Sequence, residues 1–240
     1  MLPGLQRFDI LAIANPSLAV ESEFMTPVVF WDEDTQHDFM DPDGKLYVPG
    51  AERIVPNLAR LTRCARQYGV PIVAVMCDHT ESDAEISTQP DWRSTFPAHC
   101  LRGTPGQERI DATAPRHPTY IENRPYTHAE LEAFWRTCRG EIVIKKQGLD
   151  PFSNPATAVL LDVIDPRTVV VYGVAEDFCV HHAIMGLSGG GRRIWYVSDA
   201  SQPINAEDAL RCENEWRQRG VEFVNTAAVI RAVERRQFKP

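Results

Sequence analysis

The chain has 240 residues and a net charge of −8, with 43% hydrophobic and 24% charged residues. This composition is ordinary for a globular protein, and the negative charge argues against nucleic acid or an anionic membrane as a partner. No apolar run approaches the ~20 residues that span a bilayer. The N-terminus lacks the basic start and apolar core of a signal peptide. We therefore expect a cytoplasmic protein.

Hydrophobic periodicity predicts strands and helices that alternate along the chain. Residues 1–26 form a predicted N-terminal extension, in which Phe8 to Ala14 could add an edge strand or pack on the surface. Strands are predicted at about 27–31, 71–76, 141–144, 168–173, 193–198 and 221–224, and helices at about 50–68, 128–138, 156–164, 177–187, 207–219 and 227–235. The connection 80–127 has no predicted element. The alternation predicts one three-layer α/β/α domain over residues 27–240, with a mostly parallel, Rossmann-like central sheet.

Chemically useful side chains follow four of the predicted strands: Asp34, His79, Lys146 and Cys179. The carboxyl ends of parallel strands share one edge of the sheet, where open α/β sheets bind ligands. A carboxylate can accept the proton of a thiol, and an ammonium can stabilise the thiolate. Cys179 is predicted to begin a helix, whose dipole would lower the pKa of its thiol. It is therefore a candidate nucleophile, although a buried structural cysteine is equally compatible with its position.

Several segments, in order along the chain, resemble the isochorismatase-like cysteine hydrolases. Residues 34–39 (DTQHDF) resemble the family's Asp-x-Gln-x-Asp-Phe signature, and residues 96–106 (FPAHCLRGTPG) resemble a segment of its nicotinamidase-related branch. Residues 173–180 (GVAEDFCV) resemble the segment of the nucleophile, and Asp199-Ala200 stands where the family has Asp-Ala. The resemblance implies the isochorismatase-like fold and a hydrolase that releases ammonia from a small, cyclic carboxamide such as nicotinamide. It also implies a homo-oligomer.

The resemblance further implies a catalytic triad of Asp34, Lys146 and Cys179. Asp34 would deprotonate the thiol and Lys146 would stabilise the thiolate, which would form a thioester with the substrate. Lys145 is an adjacent alternative that fits the family pattern less well. A cis peptide before Ala175 is implied, and the amides of Ala175 and Cys179 would form the oxyanion hole.

A divalent metal ion, namely zinc, iron or manganese, is also implied by the resemblance. His79, Glu85 and His99 match three of the family's ligands, but Cys77 occupies the position of an expected Asp and Asp78 follows one residue late. Cys77 could bind the metal as a thiolate, Asp78 could take its place, or the site could be weakened. Otherwise, the two histidines are ordinary loop residues.

Phe39 and Phe96 match aromatic positions that line the substrate pocket in the nicotinamidase-related branch, although core packing is the commoner role for phenylalanine. His37, His181 and His182 receive no catalytic role. The alternatives to a nicotinamide-type amidase are a related hydrolase of carbamoyl, ureido or maleamate-type amides, and a non-catalytic binding protein. Cys179 argues against the isochorismate-cleaving branch, which lacks the nucleophile.

Overall fold

The computed structural model describes residues 28–138 and 140–238. The predicted extension 1–26, with its candidate strand at Phe8 to Ala14, lies outside these residues, and the domain boundary at residue 27 stays a prediction. Within the described residues the strands form one parallel sheet of order β3-β4-β2-β1-β5-β6-β7. The strands are β1 (Val28–Glu33), β2 (Ile72–Cys77), β3 (Thr119–Ile121), β4 (Ile142–Lys146), β5 (Thr168–Val174), β6 (Arg193–Gln202) and β7 (Glu222–Val224).

Helices cover both faces of the sheet, so the predicted three-layer α/β/α architecture is confirmed. They are α1 (His37–Met40), α2 (Val55–Tyr68), α3 (His128–Thr137), α4 (Ala156–Ile164), α5 (His181–Leu187), α6 (Ala206–Gln218) and α7 (Thr226–Glu234). Helices α2 and α7 pack on one face, and α3 to α6 pack on the other. No helix in the described ranges is long and apolar enough to cross a membrane.

The central strands β1 and β5 are buried on both faces, which explains their continuous apolar sequences. Phe30 and Val170 are paired in register and contribute to the core under α2 and α7. Val29 and Val169 are also paired and contribute to the core under α3 to α6. Because side chains alternate along a strand, each central strand supplies both layers of the core.

Element boundaries differ from the predictions at several places, and three of the differences have a clear physical reason. Strand β3 at the sheet edge falls inside the connection 80–127, and one of its three residues is buried, so it has no apolar run to reveal it. Strand β6 continues four residues past Ser198, because a register shift between β5 and β6 re-aligns its polar end. The helix predicted from Asp177 is a π turn, Glu176–Val180, followed by α5.

Gly173 allows β1 and β5 to approach each other next to the rim of the sheet. Its φ is 121°, and a Cβ atom there would clash with the backbone carbonyl oxygen of Glu33, its register partner. Gly69, which ends α2 in the left-handed conformation, has open space where a Cβ would lie.

We expect Gly173→Ala to lower the free energy of unfolding by roughly 3 kcal/mol or more, because it adds both a clash and an unfavourable φ. Gly69→Ala, the matched control, adds only an unfavourable φ and should cost about 1 kcal/mol. Urea denaturation of both variants measures the difference. Equal losses would show that the close approach of β1 and β5 does not constrain residue 173.

Candidate active site

Lys146 occupies the centre of a buried cluster at the carboxyl edge of the sheet. It is the last residue of β4 and is fully buried. Its Nζ lies 2.9 Å from Oδ2 of Asp34, 3.4 Å from Sγ of Cys179 and 3.0 Å from the carbonyl oxygen of Gly148. Burial alone would lower the pKa of Lys146, but the surrounding Asp34 carboxylate and thiols raise it well above its ordinary value. The lysine is therefore held as an ammonium ion, with a carboxylate and a thiol in contact with it.

Strand ends bring these side chains together from distant parts of the sequence. β1 ends at Glu33, and Asp34 turns out of the strand with a φ of 48° while its amide donates to the carbonyl of Val75 at 3.1 Å. Lys145, the adjacent lysine, is directed elsewhere, and its Nζ lies 2.8 Å from Oε1 of Glu122. Of the two lysines, the structure brings Lys146 to Asp34 and Cys179.

Cys179 lies in the π turn that follows β5, not at the start of an α-helix. The peptide bond between Val174 and Ala175 is cis, which confirms that prediction. The Ala175 carbonyl accepts hydrogen bonds of 3.1 Å from the amides of Phe178 and Val180, on either side of the cysteine. Burial raises the pKa of the Cys179 thiol well above its ordinary value, and the Lys146 ammonium opposes the rise. The expectation that a helix dipole lowers this pKa is wrong, because desolvation dominates.

A second thiol, Cys77, lies beside the same lysine. Its Sγ is 3.4 Å from Nζ of Lys146 and 3.8 Å from Oδ2 of Asp34. It also belongs to a buried group with His79 and His99, whose candidate ligand atoms all lie within 4.8 Å of one another. Cys77 is thus shared between the lysine cluster and a cysteine–histidine group.

The two histidines carry ring nitrogens that are buried and have no hydrogen-bond partner, namely both nitrogens of His79 and Nε2 of His99. Nδ1 of His99 lies 2.8 Å from the carbonyl oxygen of Pro97, so it carries the hydrogen and leaves the Nε2 lone pair free. Burial lowers the pKa of His79 to about 4, which keeps its ring neutral. Unpaired buried lone pairs of this kind fit a metal ion, which accepts neutral imidazole nitrogen and thiolate sulfur.

Glu85 is close to this group, whereas Asp78 is not part of it. Oε1 of Glu85 lies 3.7 Å from Nε2 of His79 and 3.6 Å from Nε2 of His99, beyond hydrogen-bond distance. Asp78 instead accepts hydrogen bonds from Arg102, at 2.6 Å, and from Gln107. Successive residues of an extended chain point to opposite sides, so Asp78, directly after β2, faces away from the group that contains Cys77. Asp78 is not among the grouped ligand atoms, and its role as a replacement for the expected Asp stays a prediction.

A small pocket with a mostly apolar wall leads to Cys179; its cavity volume is about 30 Å³, and about 350 Å³ of space lies within it when the open mouth is counted. Among the described residues, its polar lining consists of Glu85, His99 and Cys179, and no lysine or arginine of that part of the chain contributes to it. Both predicted aromatic residues belong to the apolar wall, which is formed by Phe39, Leu46, Val48, Phe96, Leu149, Val174, Ala175, Phe178 and Ile204. The pocket therefore suits a small uncharged molecule with an apolar face.

A model of the isochorismatase domain matches residues 28–138 and 130–228. The chain belongs to the isochorismatase family. The nicotinamidase/pyrazinamidase of Mycobacterium tuberculosis is 26% identical over 194 residues, which are 80% of this chain and 95% of that protein. The N-carbamoylsarcosine amidase of an Arthrobacter species is 25% identical over 154 residues, 63% of this chain and 50% of that protein.

The same fold appears in the crystal structure of pyrazinamidase of Pyrococcus horikoshii in complex with zinc. The TM-score is 0.65 at 24% sequence identity, and the match covers 83% of this chain and 99% of that chain. This likeness supports the isochorismatase-like fold.

In this member of the isochorismatase family, two buried carboxyl groups near the site, those of Glu33 and Glu176, were not predicted from the sequence. Glu33 is fully buried; its Oε2 accepts a 2.7 Å hydrogen bond from the indole of Trp31, and its Oε1 lies 3.9 Å from Nζ of Lys146. Burial and the Asp34 carboxylate raise the pKa of Glu33 well above its ordinary value. Glu176, three residues before Cys179, is buried against Tyr196. The run of acidic residues from Asp32 to Asp34 was the one sequence signal that could have indicated a buried carboxyl group at Glu33, but an exposed acidic loop would have the same sequence.

His37, His181 and His182, which received no catalytic role from the sequence, make other contacts. Nδ1 of His181 accepts a 3.1 Å hydrogen bond from the indole of Trp216, and the ring of His182 packs against that of His181. His37 pairs with Asp41 at 2.6 Å. These contacts give His181 and His182 a role in packing.

We expect Glu176→Gln to change how stability depends on pH. Burial raises the pKa of Glu176 from 4.5 to about 7. The folded protein then retains a proton that the unfolded chain releases between these values, so this group makes stability fall as pH rises from about 4.5 to 7. The difference in free energy of unfolding between the variant and the parent should therefore shift in favour of the variant by roughly 2 kcal/mol from pH 4.5 to pH 8. Urea denaturation across this range measures it, with Glu132→Gln, which changes a half-exposed carboxyl group on α3, as the control. If the free energies of unfolding of the variant and the parent differ by the same amount at every pH, the raised pKa of Glu176 is contradicted.

Proposed function

We propose that the chain hydrolyses a small, uncharged cyclic carboxamide such as nicotinamide to the acid and ammonia, with Cys179 as nucleophile. The nicotinamidase and N-carbamoylsarcosine amidase relatives make it an amidohydrolase, which acts on carbon–nitrogen bonds other than peptide bonds. The observation that carries the proposal is the contact of one buried ammonium, Lys146, with both Asp34 and Cys179. The fold alone does not require these three side chains to meet, whereas a cysteine nucleophile uses all three: a base, a cation and the thiol itself.

The proposed first half of the reaction begins with transfer of the Cys179 proton to the Asp34 carboxylate. Lys146 stabilises the thiolate, which attacks the amide carbonyl carbon, and the amides of Ala175 and Cys179 stabilise the resulting oxyanion. The carbon–nitrogen bond then breaks, and the leaving nitrogen takes the proton from Asp34 as ammonia departs. A thioester on Cys179 remains.

In the second half, Asp34 accepts a proton from a water molecule as its oxygen attacks the thioester carbon. The carbon–sulfur bond breaks and the acid leaves, and the Cys179 thiolate takes the proton back from Asp34, which restores the thiol and the carboxylate. Every state in this cycle pairs one negative charge with the single ammonium of Lys146. This balance is important because an unpaired charge is costly in a buried site.

The pocket supports a neutral ring amide over the alternative substrates. N-carbamoyl amino acids and maleamate carry a carboxylate, which needs a cation or several donors when buried. The wall offers aromatic and aliphatic side chains, among them Phe39, Phe96 and Phe178, and Glu85 supplies the one carboxyl group that the described residues place in it. Flat aromatic rings pack well against such walls.

We further propose that Cys77, His79, His99 and Glu85 hold a divalent metal ion, and that it is zinc. A thiolate ligand favours zinc over manganese, which prefers oxygen ligands. When bound, the ion would supply a Lewis acid at the pocket floor that can hold a ring nitrogen of the substrate. Homo-oligomerisation and a cytoplasmic location stay predictions from the family resemblance and the sequence.

Ammonia release tests the activity. The parent should release ammonia from nicotinamide and benzamide faster than from maleamate or N-carbamoylsarcosine. Cys179→Ala and Asp34→Asn should each lower kcat/KM by about 10³-fold or more, since each removes a group that takes part in bond making. Cys212→Ala, which changes a thiol on α6 outside the site, is the matched control and should stay within about two-fold. Release from nicotinamide no faster than with Cys179→Ala would refute the proposal, and preference for maleamate would favour the alternative.

Metal analysis and cobalt substitution test the metal site. The purified protein should contain about one zinc ion per chain, and the cobalt form should show a sulfur-to-cobalt charge-transfer band in the near ultraviolet. Cys77→Ser should lose this band, because the thiolate is its source. Cys100→Ser is the matched control: that buried thiol lies next to His99 in the chain but outside the metal-ligand group, so the band should persist. Metal-free protein that takes up no cobalt would rule the site out.

A further inference from the structure

The outer wall of the substrate pocket includes a side chain from a short connection on the far side of the nucleophile. This connection, residues 203–205, joins β6 to α6 and carries Ile204, which lines the pocket although its side chain is 44% exposed. An apolar side chain at an open mouth has few core contacts to fix it. Its position therefore depends on how the backbone of the connection is held.

The carboxylate of Asp177 holds this backbone. Its Oδ1 accepts a 2.9 Å hydrogen bond from the amide of Ile204, and its Oδ2 accepts a 2.8 Å hydrogen bond from the amide of Asn205. Hydrogen bonds to an ionised carboxylate are roughly twice as strong as those between neutral groups. Asp177 thus joins the connection to the π turn that contains Cys179.

The same connection is anchored on both sides of Ile204. Nε2 of Gln202 donates a 2.9 Å hydrogen bond to the carbonyl oxygen of Pro49, which adjoins Val48, another residue that lines the pocket. The side chain of Asn205 accepts from the first amides of α6, at 2.8 and 3.2 Å. Gln202 and Asn205 thus fix the two ends of the connection, and the Asp177 carboxylate accepts the hydrogen bond from the amide of Ile204 between them. Asp177 does not line the pocket, so any effect on substrate passes through the connection.

We propose that Asp177 is a positioning residue that holds Ile204 against the pocket and so sets a preference for ring amides over small linear amides. The proposal rests on the proposed function. A benzamide ring reaches the wall at Ile204, whereas acetamide occupies the space at Cys179 alone. Loss of the tether should therefore weaken binding of the ring and leave the reacting atoms in place.

Kinetics with benzamide and acetamide test the preference. Asp177→Ala should raise KM for benzamide about ten-fold, the scale for lost apolar contact in a pocket, and lower the benzamide-to-acetamide ratio of kcat/KM equally. Asp177→Asn keeps one acceptor oxygen, so its KM for benzamide should lie between that of Asp177→Ala and that of the parent. Asn225→Ala removes the N-cap of α7 far from the pocket; it should lower Tm while leaving the ratio unchanged.

A double-mutant cycle tests whether Asp177 acts through Ile204. Ile204→Ala should lower the ratio about as much as Asp177→Ala, and the double variant should lose no more than either single one, because both remove the same contact. Additive losses, or an equal loss for acetamide and benzamide with Asp177→Ala, would overturn the proposal.

Alkylation of Cys179 by iodoacetamide, followed by mass spectrometry of its peptide, separates this proposal from the proposed function. Benzamide should protect Cys179 in the parent, and Asp177→Ala should need about ten-fold more benzamide for equal protection. If the parent releases no ammonia but shows this shift, the proposed function fails and the role of Asp177 stands. If benzamide protects neither protein, or protects both equally, the role of Asp177 is refuted.

Discussion

The ammonium group of Lys146 is the charge on which the rest of the site depends. Burying an ammonium costs several kcal/mol unless nearby groups replace its water. Here the replacements come from separate segments: the Asp34 carboxylate after β1, the Gly148 carbonyl after β4, and the thiols of Cys77 and Cys179. The sheet order β4-β2-β1-β5 places these segments side by side. The proposed catalytic centre and the stabilised buried charge are therefore the same structural feature.

One ammonium can balance one negative charge, and this limits the protonation states of its neighbours. Burial raises the pKa of the Glu33 carboxyl and of both thiols well above their ordinary values. Three N–H groups are available on Lys146, and Asp34 and Gly148 accept two of them. One N–H remains for a sulfur atom, so Cys77 and Cys179 compete for it. In the proposed reaction, the thiolate of Cys179 forms at the expense of the charge on Asp34 and adds no net charge.

The sequence was sufficient to predict the layers, most helices and the meeting of Asp34, Lys146 and Cys179, whereas the cis peptide was implied by the family resemblance. Strand ends of a parallel sheet share an edge, so residues at those ends could be placed without knowing any contact. Glu33 was not predictable in this way, because its burial depends on the register that aligns it with Val75, two residues before Cys77. Asp32 was equally hidden: its partner Arg109, 2.6 Å away, comes from the aperiodic connection 80–127. The predicted direction of the pKa shift of Cys179 was wrong for a related reason: the sequence pattern of a helix start carries no information on how far the thiol is desolvated.

The segment Cys77-Asp78-His79 shows how one residue at a strand end can support a site from its opposite side. Cys77 and His79 lie on the face of the lysine and histidine groups, whereas Asp78 lies on the other face and bonds Arg102 and Gln107. The amide of Arg102 also donates to the carbonyl of His79 at 2.8 Å. Both partners of Asp78 belong to the segment that continues from His99, so these bonds fix the loop that brings His99 to Cys77. The carboxylate one residue past the expected ligand position thus contributes to the arrangement of the group without facing it.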